Sequence, residues 1–127
     1  MKDVDRFIAK YVPAGAAEFG LDEKRLAEWA RRDWEVSTVR EYAWGFFCYR
    51  IMDNMYGEAT MLVVALYVLP GSRTFKNMSQ IFDIFCDVAK ASGACYIETG
   101  SFVNAKYNRL LARMGWEARI FRRKTDG

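Results

Sequence analysis

Apolar residues recur along this chain with two different periods, and the switches between them mark out the elements. Over 22–33, Leu26, Trp29 and Ala30 stand at i, i+3 and i+4, with Asp22 ahead of them as a helix N-cap and Leu21 before it. The pattern then changes to alternation. Residues 36–42 combine β-branched residues with alternation, 45–52 are rich in aromatics, and 61–69 are apolar on both faces. These predict three strands, the last covered on both sides, with a turn in Asp53-Asn54-Met55-Tyr56-Gly57 and a stop at Pro70-Gly71. Helical spacing returns over 74–92, where Met78, Ile81, Phe82, Phe85, Val88 and Ala89 line one stripe ahead of Gly93. A short strand follows over 95–99. A helix over 104–114 has Tyr107, Leu110, Leu111 and Met114 on one face, and Trp116, Ala118 and Ile120 predict a last strand. Over 1–20 the pattern is mixed: Phe7, Ile8 and Tyr11 have helical spacing, and Pro13 and Gly15 interrupt it.

This order predicts one α/β domain spanning 1–127. Its single mixed, mainly antiparallel sheet would carry helices on both faces, because a meander followed by strand–helix–strand crossovers packs that way. No repeat or linker divides the chain. Composition agrees: 52% of the residues are hydrophobic and 16% aromatic, too apolar for a disordered chain. The longest apolar run, 61–69, is about half a membrane span of roughly 18 residues. The start, Met-Lys-Asp-Val-Asp-Arg, lacks the apolar stretch of a signal peptide. A cytoplasmic protein without membrane contact is expected. Cys48, Cys86 and Cys95 form no CxxC pair, which predicts buried reduced thiols and no zinc site. The absence of histidine removes histidine-based triads and histidine metal sites. Charge is uneven: residues 1–63 hold 9 basic and 11 acidic groups, and 64–127 hold 10 and 5. A basic second half suits an anionic partner, or is an ordinary solvated surface.

The segment Leu66-Tyr67-Val68-Leu69-Pro70-Gly71-Ser72-Arg73 resembles the signature strand of the GNAT-type N-acetyltransferases, Leu-x-Val-x-Pro-x-x-Arg, at all four positions. The sequel is also similar: a long helix, Gly93, a short strand, Asn104, then a helix and Gly115-Trp116 where the family has Gly-Phe. The likeness spans roughly 35–123, with its specific matches in 61–116. It is similar too to the compact, degenerate members of the family associated with phage or prophage. The resemblance implies an acyl-CoA N-acyltransferase fold and acetyl-CoA as cofactor. It places the backbone of Leu66 and Val68 against the pantetheine arm. Arg73 and the loop Thr74, Phe75, Lys76, Asn77 and Met78 would lie under the pyrophosphate at a helix N-terminus, and Asn104 is a further cofactor-binding candidate. It also implies direct attack of an amine, from a small molecule or a protein, on the thioester.

Two positions depart from the family pattern. Its loop usually reads Arg-Gly-x-Gly-x-Gly or Ala, and here the small positions are Thr74, Lys76 and Met78, which narrow the approach of backbone to phosphate. Lys76 offers a point charge instead. The tyrosine often found seven residues after the Asn, as general acid, is Leu111 here; Tyr107 stands one turn earlier on the same face. Tyr107 is the candidate acid, or a core aromatic. For a general base, Glu98 on the strand and Glu58 at the turn are the acids near the expected cleft, or are ordinary solvated carboxylates. A second reading is a non-catalytic GNAT-fold binding or structural protein with no cofactor. The aromatics Tyr42, Trp44, Phe46, Phe47 and Tyr49 would line an acceptor pocket or pack the strands. Arg119, Arg122, Arg123 and Lys124 raise nucleic-acid binding, but no helix-turn-helix or zinc-finger spacing accompanies them. Exposed aromatics on edge strands would allow a homodimer.

Overall fold

The computed structural model describes residues 2–53, 55–100 and 104–117. Two helices come first, α1 (Lys2–Phe19) and α2 (Glu23–Glu35). The strands β1 (Thr38–Tyr42), β2 (Gly45–Asp53) and β3 (Ala59–Val68) follow, then α3 (Phe75–Ala91), β4 (Tyr96–Glu98) and α4 (Ala105–Arg113). The sheet runs β1-β2-β3-β4; the first three strands are antiparallel and β3–β4 is parallel. This is the mixed, mainly antiparallel sheet expected from the element order. The final strand expected from Trp116, Ala118 and Ile120 lies, from residue 118 on, outside the described residues, as do Arg119, Arg122, Arg123 and Lys124.

Alternation along β2 sends neighbours to opposite layers. Phe46 and Cys48 join Phe7, Tyr11 and Val12 of α1 and Ala30 and Trp34 of α2. Phe47 and Tyr49 join Ile81, Phe82, Phe85 and Val88 of α3 and Leu111 of α4. The aromatic cluster is thus strand packing: Phe46 lies edge-on to Trp34 at 5.0 Å, and Phe47 edge-on to Phe85 at 4.8 Å.

The structure corrects the reading in two places. Helix α1 runs unbroken through Pro13. Pro13 and Ala9, the residue whose carbonyl it leaves without a helical donor, are both exposed, so the gap in the ladder falls on the solvent face of the helix. The opposite face buries Val4, Phe7, Tyr11, Val12 and Ala16, which offsets the proline's cost. The second correction concerns the thiols. Cys48 is buried, and desolvation pushes its thiol up to about 12. Cys86 and Cys95 are exposed. Cys86 shares the outer face of α3 with Asp83, Asp87 and Lys90, while Phe85 beside it points inward.

Helix α1 is tied to the sheet by Glu41 on β1. Its carboxylate accepts from the Tyr11 hydroxyl at 2.7 Å, Lys10 Nζ at 2.9 Å and Arg6 Nη1 at 3.0 Å. These bonds, that from Tyr11 foremost, hold its pKa down to about 2. A carboxyl depressed in the folded state stabilises fully above its ordinary pKa near 4.5, and the contribution is lost as pH falls toward about 2. Urea midpoints followed from pH 5 to pH 2 are therefore expected to fall less steeply in Glu41→Gln than in the parent. Parallel slopes would remove Glu41 from the acid response.

A candidate cofactor and acceptor cleft

The site begins as a fork in the sheet. Among the described residues, strand β4 pairs with β3 at Thr60↔Tyr96, Met61↔Ile97 and Leu62↔Glu98 and no further. Beyond Leu62, β3 continues to Val68 paired, among the described residues, with β2 alone. The separation coincides with a bulge. Tyr49 faces Val63 and Cys48 faces Ala65, which leaves Val64 as the extra residue on β3. The bulge shifts the phase of the strand, so Leu66 packs with the α3 layer and Ala65 and Tyr67 with the α1–α2 layer.

The direction of the backbone groups follows from the ladder. The amide of Leu69 donates to the Trp44 carbonyl, toward β2. In a strand the two polar groups of one residue point to one side and the side alternates along the chain. The backbone of Leu66 and Val68 therefore points away from β2, into the fork. Consistently, the Tyr67 carbonyl sits hard against Gly45 of β2, and the Val68 carbonyl accepts Arg73 Nε at 2.7 Å on the other side.

The fork leads to the N-terminus of α3. A short 3-10 turn, Pro70–Ser72, reverses the chain. The Thr74 side chain then caps the helix by accepting the Asn77 amide at 3.1 Å, and Asn77 Nδ2 donates to the Ser72 carbonyl at 3.0 Å. The first-turn amides of Phe75 and Lys76 have no partner within the helix, because the ladder begins later. They and the helix dipole make this end electropositive, with Lys76 exposed beside them. At the three positions where the family uses glycine or alanine, Thr74 and Lys76 are exposed and Met78 turns inward into the core.

Arg73 stands between the fork and α1. Its Nη2 donates to Glu18 Oε1 at 2.6 Å, and its Nη1 pairs with Glu18 Oε2. The guanidinium lies 5.4 Å over the Tyr67 ring, and the Tyr67 hydroxyl donates to Glu18 at 3.2 Å. The Arg73 pair holds the Glu18 carboxyl below its ordinary pKa. The far wall is α4. Asn104 caps it by accepting the Tyr107 amide at 3.0 Å. The Tyr107 hydroxyl shares a hydrogen bond of 2.7 Å with Thr99 Oγ1, and burial pushes its pKa up to about 12. Leu111, one turn on, is buried in the α3 layer.

These walls enclose an open cleft of about 850 Å³ that spans both layers of the domain. Of the residues singled out from sequence for the cofactor or the chemistry, Leu66, Val68, Arg73, Met78, Asn104 and Tyr107 line it, and of the aromatic cluster Phe46 does. Thr74, Phe75, Lys76 and Asn77 stand at the adjoining helix end and Glu98 at the crotch of the fork, none of them on the lining. Glu58, at the β2–β3 turn, does not line it either. Sequence reasoning missed Glu18. It lies 55 positions before Arg73 in a stretch broken by Pro13 and Gly15, and no local pattern marks it. Among the described lining residues the cations are Arg73, Lys106 and Arg109, the one carboxylate is Glu18, and there is no cysteine or serine. Among the described residues no helix is long and apolar enough to cross a membrane.

No protein-family model matches the sequence, and no curated protein sequence resembles it. Solved structures do resemble the fold. A predicted acetyltransferase with acetyl-CoA from Clostridium acetobutylicum superposes with a TM-score of 0.67 at 12% identity, covering 99% of this chain and 91% of that one. A ribosomal-protein-alanine N-acetyltransferase from Brucella melitensis biovar Abortus 2308 gives 0.60 at 16% identity, covering 92% and 94%. A possible acetyltransferase from Clostridium difficile 630 gives 0.62 at 10% identity, covering 100% and 93%. The fold is that of the GNAT acetyltransferases.

Proposed function

We propose that this GNAT-fold domain is an acyl-CoA-dependent N-acetyltransferase that moves an acetyl group directly to an amine of a small molecule or a protein. One observation carries the reading: β3 leaves β4 after Leu62 and turns the backbone of Leu66 and Val68 into a cleft that ends at the N-terminus of α3. An extended amide-bearing arm can pair with such an edge, and a diphosphate suits a helix end with Arg73 and Lys76 beside it. The residues present thus fit acetyl-CoA: Leu66 and Val68 would hold the arm, the first turn of α3 with Arg73 and Lys76 the phosphates, and Asn104 the opposite wall. Acetyl-CoA supplies the acetyl group as an activated thioester.

The protein's own part is to position and to manage protons. Lacking a cysteine or serine among the described lining residues, the cleft favours direct transfer to the acceptor over an acyl-enzyme. Tyr107 is poised at the α4 wall as a donor. With its pKa near 12, it gives a hydrogen bond to a departing sulfur more readily than it gives up its proton, since a thiol's ordinary pKa is about 8.5. A base role for Glu98 requires a water path from the crotch of the fork. Tyr107→Phe is expected to lower kcat about tenfold with little change in KM for acetyl-CoA, measured by thiol release. An unchanged kcat would make Tyr107 a packing residue. The reading as a whole is tested by amine-dependent thiol release from acetyl-CoA across small amines and peptide N-termini, and release by none of them would count against it.

A second reading, a non-catalytic GNAT-fold binding protein, draws on the engagement of Arg73 with Glu18 and Val68 and on the filled positions Thr74, Lys76 and Met78. It predicts a folded protein that releases no thiol with any amine.

A further inference from the structure

We propose that the hydroxyls of Thr99 and Tyr107 work as one relay, carrying a proton from the attacking amine nitrogen to the departing sulfur, so that the transfer needs no separate base. The proposal rests on the acetyltransferase reading and adds Thr99 to the chemistry of that same cleft. Both residues line the cleft, and their hydroxyl oxygens lie 2.7 Å apart. The surroundings call for such a device. The chain has no histidine. The one carboxylate among the described lining residues is Glu18, and Arg73 holds both its oxygens at the diphosphate end.

The pair stands at the opposite end of the fork from Arg73. An arm held by the backbone of Val68 and then Leu66 leads away from the α3 N-terminus, toward the crotch. Strands β3 and β4 are parallel, and Leu62↔Glu98 is their last described pair, so Thr99 comes level with Val63 where the strands part. From Val68, whose carbonyl accepts Arg73 Nε, back to Val63 is about 17 Å of strand at about 3.3 Å per residue. Tyr107 reaches Thr99 from the α4 wall. Its amide donates to Asn104 Oδ1 at 3.0 Å, and its ring rests against Phe82 at 6.2 Å between centroids. Thr99 is half-buried, so it meets both the Tyr107 hydroxyl and the open cleft.

A hydroxyl can give one proton while it takes another. The 2.7 Å spacing suits proton transfer, and it matches the separation of two atoms bonded to one tetrahedral carbon, the relation of nitrogen and sulfur during transfer. The amine enters as the free base, its first proton left to water. Its lone pair forms the bond to the acetyl carbon as the carbon–sulfur bond breaks, with the electron pair leaving on sulfur. The proton shed by nitrogen passes to Thr99 Oγ1, the Thr99 proton to the Tyr107 oxygen, and the Tyr107 proton to sulfur. Both residues end neutral, and rotation about their C–O bonds resets them. Burial pushes the Tyr107 pKa up to about 12, which keeps its proton in place until sulfur departs.

Two measurements test the relay, one of ionisation and one of turnover. CoA bound to the parent is expected to ionise its thiol about one pH unit below free CoA, read by thiolate absorbance in the ultraviolet, because the Tyr107 hydroxyl donates to the charged sulfur. Tyr107→Phe is expected to remove that shift and Thr99→Val to shrink it. Both variants are expected to bind CoA in calorimetry, which shows them folded. Thiol release from acetyl-CoA is then followed with methylamine, 2-phenylethylamine and alanylglycine amide. Thr99→Val is expected to lower kcat about tenfold with KM for acetyl-CoA unchanged, as for Tyr107→Phe, and Thr99→Ser to recover most of the rate because serine keeps the hydroxyl. The double variant is expected to be no slower than either single one, since parts of one relay fail together. A double variant about a hundredfold slower than the parent, as independent roles require, would overturn the relay and leave the acetyltransferase reading standing. So would an undiminished kcat in Thr99→Val, a Thr99→Ser as slow as Thr99→Val, or an unshifted thiol in the bound parent. Failure of CoA to bind, or release with none of the three amines, would overturn both.

Discussion

Replacing Gly45 by alanine is expected to unfold the domain or lower its melting temperature by about 10 °C or more. Gly45 opens β2 at φ +143°, and a Cβ built there would lie 1.9 Å from the Tyr67 carbonyl oxygen and 3.2 Å from the Val68 Cα. The obstacle is backbone on the neighbouring strand, so no rotamer change relieves it. Relief requires β2 and β3 to part at Gly45↔Val68, the end of β3 that carries the cleft. Strain at a position closed to side chains costs about 1–3 kcal/mol, and loss of strand pairing adds to it. Thermal unfolding followed by circular dichroism gives the answer. A variant within 2 or so degrees of the parent would mean that the β2–β3 register does not depend on this close approach.

Phe85→Ala is the second large effect, about 3–5 kcal/mol of lost stability in urea unfolding. Phe85 is fully buried on α3 between Phe47 at 4.8 Å and Phe82 at 5.8 Å, and it shares a cluster with Met61, Val63 and Val68. The ring therefore seats α3 on the two strands beside the fork. Truncation leaves a cavity the rigid sheet cannot collapse into. A loss below about 1 kcal/mol would show that the neighbouring side chains can repack into the space.

These two positions also show what a sequence makes legible. The seat of α3 could be read directly, because Met78, Ile81, Phe82, Phe85, Val88 and Ala89 repeat with helical spacing and every one of them is buried. The central strand was equally plain, since Met61 to Val68 is apolar on both faces and both faces are covered. Helix α1 was not, because Pro13 signals a break, and what cancels the signal is the exposure of its turn, a tertiary fact. The exposure of Cys86 could have been drawn from the helical wheel, on which it falls with Asp83, Asp87 and Lys90. In the candidate site, the signature Leu66–Arg73 marks the strand and the turn, and the fork itself appears only when β4 is found to pair for three residues and stop. Glu18 had no signal at all. It meets Arg73 because α1 packs across the sheet, and a contact between residues so far apart leaves no local pattern.

The claim that the fork beside Leu66 and Val68 is a cofactor site is tested most directly by calorimetric titration of the intact protein with acetyl-CoA and with CoA. The account predicts saturable one-to-one binding of both, weakened by added salt as the phosphates lose their hold on the α3 end. A folded protein that takes up neither ligand at about millimolar concentration, a dissociation constant worth only about 4 kcal/mol, would contradict it.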